Sequence, residues 1–321
     1  MKPDEKWNKC FIEAIEEKFS KRTHLVRALR DLLEIEREAV YRRLRSDVPF
    51  TYAEVVTISL AFNISLDKII STGSGYIPFH LRLVDYIDPT EKELMFLRKV
   101  IDSIGGLDKT NGTEFMDVCN KLPRQLLAGY EYLNRFYLFK WQYQYGVEKK
   151  LEPFTNIVIS NEKRELTEEY NNAIKKVPQS NFIFDYMLFD YLANDINYFF
   201  DIQMISEEER NLIKKDVCQL LDYLSEVATN GCYPETNNKV NLYISRLNVS
   251  TNYSYVSTAK HQIAFVHVFD KYELFTYDPN TVADFITWLQ MKKSTAFQIT
   301  EVDKKSRVEY FNKQRRLFDD I

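Results

Sequence analysis

The segment "EREAVYRRLR", residues 36–45, puts four arginines, two glutamates and one tyrosine into ten positions. Each of these side chains has chemistry to offer a nucleic acid. A guanidinium pairs bidentately with a guanine edge or clamps a phosphate. A glutamate accepts from the cytosine amine, and a tyrosine hydroxyl bonds a phosphate oxygen. At about 100° per residue, Arg37, Glu38, Tyr41, Arg42 and Arg45 share one arc of a helix. Ala39, Val40 and Leu44 share the opposite arc, with Arg43 at its edge. The first arc is free to enter a groove while the second packs on a neighbour.

Such a helix needs a frame. Upstream, "THLVRALRDLLEI" carries Leu25, Ala28, Leu29, Leu32 and Leu33 at helical spacing, with Thr23 as expected N-cap. Thr23 and His24 at that helix's start are in place to meet a phosphate. "KWNKCFIEAIEEKF" precedes it as another amphipathic helix. "FTYAEVVTISLAFNI" follows, with Thr51 and Glu54 in a capping-box pattern, and Ser65 caps a fifth short helix. Two short helices in tight succession, the second basic and outward-facing, are the arrangement that reads a major groove.

At residues 23–70 the order and spacing resemble the helix-turn-helix domain of Cro/lambda-repressor-like regulators, Bacteroidetes type. The matching stretches are "VYRRLRSD" and "VPFTYAEVVTISLAFNISLDKII". The resemblance implies a compact five-helix domain, operator DNA as partner and a homodimer. The DNA-binding residues expected from the arc and the helix start above are Thr23, His24, Arg37, Glu38, Tyr41, Arg42 and Arg45. The chain departs from the pattern at Glu34 and Ser46, where glycine is usual, and at Arg30, where alanine is usual. Arg30 and Glu34 are spaced for an i,i+4 ion pair.

The composition suits a folded protein: 321 residues, 45% hydrophobic, 28% charged, with only 8 Gly and 9 Pro. Net charge is −4, yet Lys21–Arg45 holds eight basic residues to four acidic ones, the local excess a polyanion requires. Cys10, Cys119, Cys218 and Cys232 lie far apart, so they read as reduced thiols of a cytoplasmic protein. No apolar run reaches membrane-spanning length, and the charged N-terminus lacks a signal-peptide core.

Four divisions follow. Residues 1–72 form the helix-turn-helix domain and 73–88 a Gly/Pro-containing linker. Residues 89–235 form a helical domain, and 236–321 an α+β segment packed on it. The expected fold class is mainly α, with a helical middle region and a small antiparallel sheet near the C-terminus. "KVNLYISRL", "NYSYVST", "HQIAFVHVFD" and "YELFTY" supply its strands. "NTVADFITWLQMKK" and the closing "KKSRVEYFNKQRRLFDD" read as helices, and Thr90 caps one after the linker. The ring-rich stretches Tyr130–Tyr145 and Phe182–Phe200 read as helices buried on several faces, with some rings available to line an effector cavity.

No nucleophile elbow, zinc-protease pattern or P-loop occurs. Gly73-x-Gly75 lacks the strand and helix a phosphate loop needs. The four histidines are scattered, and His267 reads as a sheet-face residue. Asp185, Asp190, Asp195 and Asp201 are spaced so as to spread around a helix rather than converge. We therefore expect no enzyme activity, no cofactor and no metal. The expected role is DNA-binding transcription regulation, with a C-terminal region that dimerises, senses a small molecule or contacts a protein effector. The alternative is an interaction scaffold whose helix-turn-helix no longer reads DNA.

Overall fold

The computed structural model describes residues 3–62, 64–66, 69, 79–82, 94–95, 98, 101–102, 104, 112–145, 153–258, 262–268, 272–301 and 304–321. The chain divides into two compact units, Met1–Pro78 and Phe79–Ile321.

The first unit holds α1 (Pro3–Glu16), α2 (Arg22–Leu33), α3 (Arg37–Leu44) and α4 (Tyr52–Phe62). Their apolar stripes meet in one core: Phe11 and Ile15, Leu25 and Leu29, Val40 and Leu44, and Ile58. Phe50 sets its ring edge-on to Phe11 at 5.7 Å. The capping box at α4 is formed. The Thr51 amide donates to Glu54 Oε2 (2.8 Å), and the Glu54 amide donates to Thr51 Oγ1 (3.3 Å). Of the fifth helix, Leu66 and Ile69 are helical, and the Ile69 amide reaches the Ser65 carbonyl. The rest of it, with the Gly73-x-Gly75 segment and Thr90, lies outside the described residues.

Two expectations for α2 are corrected. Lys21, not Thr23, occupies the N-cap position, and no side chain caps it. The Lys21 carbonyl already accepts from the His24 and Leu25 amides, which draws Thr23 inside the helix. Arg30 does not pair with Glu34 but bonds its neighbour Asp31 at 2.6 Å. The cause is Glu34's own backbone: it leaves the helix with φ 53° and ψ 39°, which takes its carboxylate off the i,i+4 line.

Left-handed backbone recurs at Ser46, with φ 62°. Glu34, which ends α2, and Ser46, just past α3, thus carry the conformation that glycine adopts without a Cβ penalty, at the two positions where the resemblance leads one to expect glycine. For other residues it costs roughly 1–2 kcal/mol, part of which glycine gives back through its more flexible unfolded chain. Glu34→Gly and Ser46→Gly should therefore each stabilise the first unit by about 0.5–1 kcal/mol. Slower amide exchange across α2 and α3 in the full chain is the readout. Unchanged or faster exchange contradicts the assignment of strain.

The second unit carries an eight-stranded mixed sheet, ordered β1-β7-β6-β5-β2-β3-β4-β8. The strands are β1 (His80–Arg82), β2 (Glu114–Cys119), β3 (Gln179–Asp185), β4 (Lys239–Ser245), β5 (Tyr253–Ser257), β6 (Gln262–Val268), β7 (Tyr272–Thr276) and β8 (Phe297–Gln298). Strands β2, β3 and β4 run parallel, and the remaining pairings are antiparallel. Helices α5 (Glu131–Tyr145) and α6 (Asn161–Lys175) connect β2 to β3. Helices α7 (Leu188–Asp201) and α8 (Glu207–Asn230) connect β3 to β4. Helix α9 (Pro279–Thr295) precedes β8, and α10 (Lys304–Asp319) closes the chain.

A chain dominated by helix with a sheet part is what the sequence led us to expect. The sheet's extent is not. It is mixed rather than small and antiparallel, it begins inside the expected linker with β1, and β2 and β3 lie inside the expected helical domain. Strands sandwiched between helical layers are buried on both faces, so they lose the polar alternation that marks a strand. Phe182 and Phe184 belong to one core with residues of α5, α7, α8 and α10, while Ile183 belongs to another with Leu289 of α9. Those rings belong to β3, not to a helix.

Several polar groups inside this layer are paired. Asn181 donates to Glu114 (2.5 Å) and accepts from Asn241 (3.0 Å), a chain of bonds across the three parallel strands. Asp216 of α8 accepts the Tyr132 and Leu133 amides at 2.7 and 3.0 Å, which satisfies the otherwise open N-terminal amides of α5. The box of Ser206 with Glu209 starts α8, and Gly231 at φ 68° ends it.

Candidate functional site

The three residues Glu34–Glu36 join α2 to α3, and the exposure around α3 follows its helical wheel. Thr23, His24, Arg37, Glu38, Arg42 and Arg45 are exposed, Tyr41 is half-buried, and Val40 and Leu44 are buried. Arg43 departs from its basic neighbours. Its guanidinium turns inward to Glu54, with Nη2 at 2.7 Å from Oε1 and Nε at 3.1 Å from Oε2. The pair fastens α3 to the start of α4.

The outward side chains are partly organised already. Arg37 Nη2 donates to the Tyr41 hydroxyl at 3.1 Å, and its guanidinium lies 5.5 Å from the Tyr41 ring centre. Stacking on tyrosine restricts the rotamers of Arg37 and leaves other guanidinium hydrogens for an acceptor. Arg42 bonds no side chain among the described residues. Arg45 is engaged: it donates to Asp47 at 2.9 Å and to Glu38 at 3.3 Å. Those bonds hold its guanidinium proton above the ordinary arginine value, Asp47 contributing most. The sequence reading placed Arg43 at the edge of the inward arc but missed its partner Glu54, and it missed Asp47. Asp47 stands two residues beyond Arg45, a spacing that carries no helical signal once α3 ends at Leu44.

Thr23 and His24 share the exposed surface of the first unit but make no side-chain bond among the described residues. Neither do they cap α2.

No family model, no curated protein and no solved structure matches the chain. The side chains themselves are therefore what bear on function. Among the described residues no group of three or more His, Cys, Asp and Glu could hold a metal ion, and no helix is long and apolar enough to cross a membrane.

A second site lies wholly within the second unit. At the carboxyl end of β2 a cleft of about 210 Å³ opens between the sheet and the helical layer. Its origin is topological. The helices cover the parallel strands, while β5, β6 and β7 continue the sheet beyond them, so the helical layer ends in a step. Asp117, Ser254 and Phe265 are register partners along adjacent strands and form part of the floor. His267 and Glu273 are partners in the next row, with Nε2 and Oε1 3.6 Å apart. Asp117 is buried and accepts from Gln125 at 2.8 Å. Burial pushes its carboxyl above the usual range, against the pull of that bond.

His267 is on a strand, as expected, but its side chain faces this cleft. Of the ring-rich segments, Tyr137 and Trp141 of α5 line it, whereas Phe136 and Phe139 are core. Periodicity alone does not separate those roles. One helix turns Phe136 and Phe139 to the interior and Tyr137 and Trp141 to the rim. The aspartates between Asp185 and Asp201 do not converge. Asp185 ends β3, where it accepts the Met187 and Val249 amides, and Asp195 pairs with Lys140.

Proposed function

We propose that the chain is a sequence-specific DNA-binding transcription regulator, whose second unit dimerises the protein, senses a small molecule or contacts a protein partner. The observation that carries this reading is the outward face of α3. Arg37, Glu38, Arg42 and Arg45 are exposed on one side of an eight-residue helix whose other side is buried. Arg37 and Glu38 lie in its first turn, from which recognition helices contact base edges. In a two-fold dimer, two such helices reach successive major grooves about 34 Å apart.

The test is an electrophoretic shift with the DNA upstream of the chain's own gene, repeated over a salt series. Phosphate neutralisation gives a slope of about −0.9 per phosphate in log K against log salt. No shift at low salt excludes DNA as the partner.

A specific observation favours a second reading, a scaffold that binds protein instead. Arg45 is tied to Glu38 and Asp47, and Glu34 and Glu36 add negative charge beside the same helix. The two readings diverge at Asp47→Asn. Under the DNA reading, freeing Arg45 should tighten binding to all sequences and steepen the salt slope by about one phosphate's worth. Fluorescence anisotropy at several salt concentrations measures both. An unchanged slope means that Arg45 does not meet phosphate.

A further inference from the structure

The cleft of the second unit brings three chemistries together on separate walls. Lys121 and Arg124, on the loop after β2, and Lys163 of α6 provide cations. Tyr137 and Trp141 of α5 provide ring faces. The sheet floor provides acceptors, chief among them Asp117 and Glu273. A core would not gather charges of both signs beside aromatic faces; the mixture suits a ligand that is itself divided into a charged group, a flat apolar surface and hydrogen-bonding edges.

The cleft is also built rather than incidental. Asn252, itself buried, accepts from the Asn120 and Lys121 amides through Oδ1 at 2.9 and 3.2 Å. It donates from Nδ2 to the Lys121 carbonyl at 3.1 Å. One amide thereby fixes the loop that carries two of the cations. Its place is where open α/β sheets hold ligands, outside the carboxyl end of a strand at which the neighbouring connections diverge. From β2 the chain leaves through the helices toward β3, while β5, its neighbour on the other side, arrives from β4 and runs antiparallel.

Size and charge narrow the ligand. At about 210 Å³ the space falls below the roughly 300–1,000 Å³ of pockets that enclose drug-sized molecules, so a ligand as large as a mononucleotide must leave part of itself outside the cleft. A polymer or dinucleotide is too large. Three cations against two carboxylates favour an anion.

We propose that this cleft binds a small organic anion built on a planar ring, of mononucleotide size or smaller, with its anionic group against the three cations and its ring against Tyr137 and Trp141. Binding does not depend on the DNA reading; a role as the regulator's effector rests on it.

The experiment titrates the full chain, free of DNA, with two kinds of ring anion. The four nucleoside monophosphates carry phosphate, and indole-3-acetate carries carboxylate. The neutral nucleosides, indole and inorganic phosphate run beside them. Tryptophan fluorescence and the thermal unfolding midpoint are followed. At least one ring anion should raise the midpoint and change the emission, and which kind does so identifies the anionic group. Its neutral counterpart, which lacks the charge-assisted hydrogen bonds, and bare phosphate, which lacks the ring, should each bind roughly tenfold more weakly or worse. Arg124→Gln and Lys163→Gln should each weaken binding by about the same factor. Trp141→Phe should remove the emission change while circular dichroism stays that of the folded chain. The proposal is overturned if no probe acts at millimolar concentration, if neutral ring or phosphate alone binds equally well, or if the Arg124→Gln/Lys163→Gln double variant binds unchanged. Because DNA is absent throughout, failure here leaves the DNA proposal standing, and failure of the gel shift leaves this one standing.

Discussion

Replacing Arg37 and Arg42 together by alanine is expected to weaken specific DNA binding by roughly 2–6 kcal/mol, at about 1–3 kcal/mol for each base edge no longer bonded. These are the two exposed arginines of α3 that bond no carboxylate among the described residues. Neither contributes to the core, so the folded state should be unaffected, and circular dichroism checks that directly. The effect should be larger on the preferred sequence than on random DNA. A weakening equal on both would assign the two arginines to phosphates rather than bases. Unchanged affinity would show that this face of α3 does not meet DNA at all. Tyr41→Phe offers a finer probe. It removes the hydroxyl that receives Arg37 but keeps the ring beneath it, so its effect should be well below that of Arg37→Ala.

Arg43→Ala is expected to act on stability rather than recognition, and to cost the first unit about 3 kcal/mol. Both partners of the Arg43–Glu54 pair are largely shielded from water, with side chains 16% and 15% exposed. Truncating the arginine leaves a carboxylate with no cation, the expensive way to break such a pair. Replacing both by apolar residues, as in Arg43→Met with Glu54→Leu, should recover much of the stability, less the Thr51 cap that Glu54 also makes. Denaturant unfolding of the full chain, read by amide exchange in α3 and α4, separates these outcomes. Acid provides an independent check. Burial works to raise the Glu54 carboxyl, but the bonds from Arg43 and Thr51 outweigh it and hold it below the ordinary value. A carboxyl lowered in the folded state contributes stability that is complete above its unfolded pKa, about 4.3. That contribution disappears as pH falls through the lower folded value. Arg43→Ala should therefore flatten the acid limb of the stability curve; an acid limb as steep as in the parent chain counts against the pair.

The first unit was largely legible because its signals are local. Stripes at three- and four-residue spacing, the Thr51–Glu54 box and the outward arc of α3 are set within a few residues of one another. The partner of Arg43 was not legible, because Glu54 stands eleven positions away on another helix. Strands β2 and β3 of the second unit's sheet escaped for a different reason. In β2 and β3 both faces are covered, so "EFMDVC" and "QSNFIFD" show neither alternation nor a helical stripe. Strands β5 and β6, less covered, were found, and β4, as covered as β3, was found from its alternating Val240, Leu242 and Ile244. The cleft is the extreme case. Asp117, Trp141, Lys163, Asn252 and His267 come from five separate elements or loops, and nothing in their spacing along the chain anticipates their meeting.

The single amide of Asn252 has a consequence for how the chain comes into being. Residues 112–245 contain the three parallel strands and the four helices that cover them on one face. A growing chain can gather these before anything beyond residue 245 has left the ribosome. Asn252 and strands β5–β7 arrive afterwards and add to the free side of β2, the oldest of the three strands. Only then are Asn120 and Lys121 tied down, beyond the bonds that Leu122 and Gln125 make with Tyr137 and Asp117, and only then is the floor of the cleft complete. A fragment ending before residue 252 would keep much of its core and still have nowhere to put a ligand.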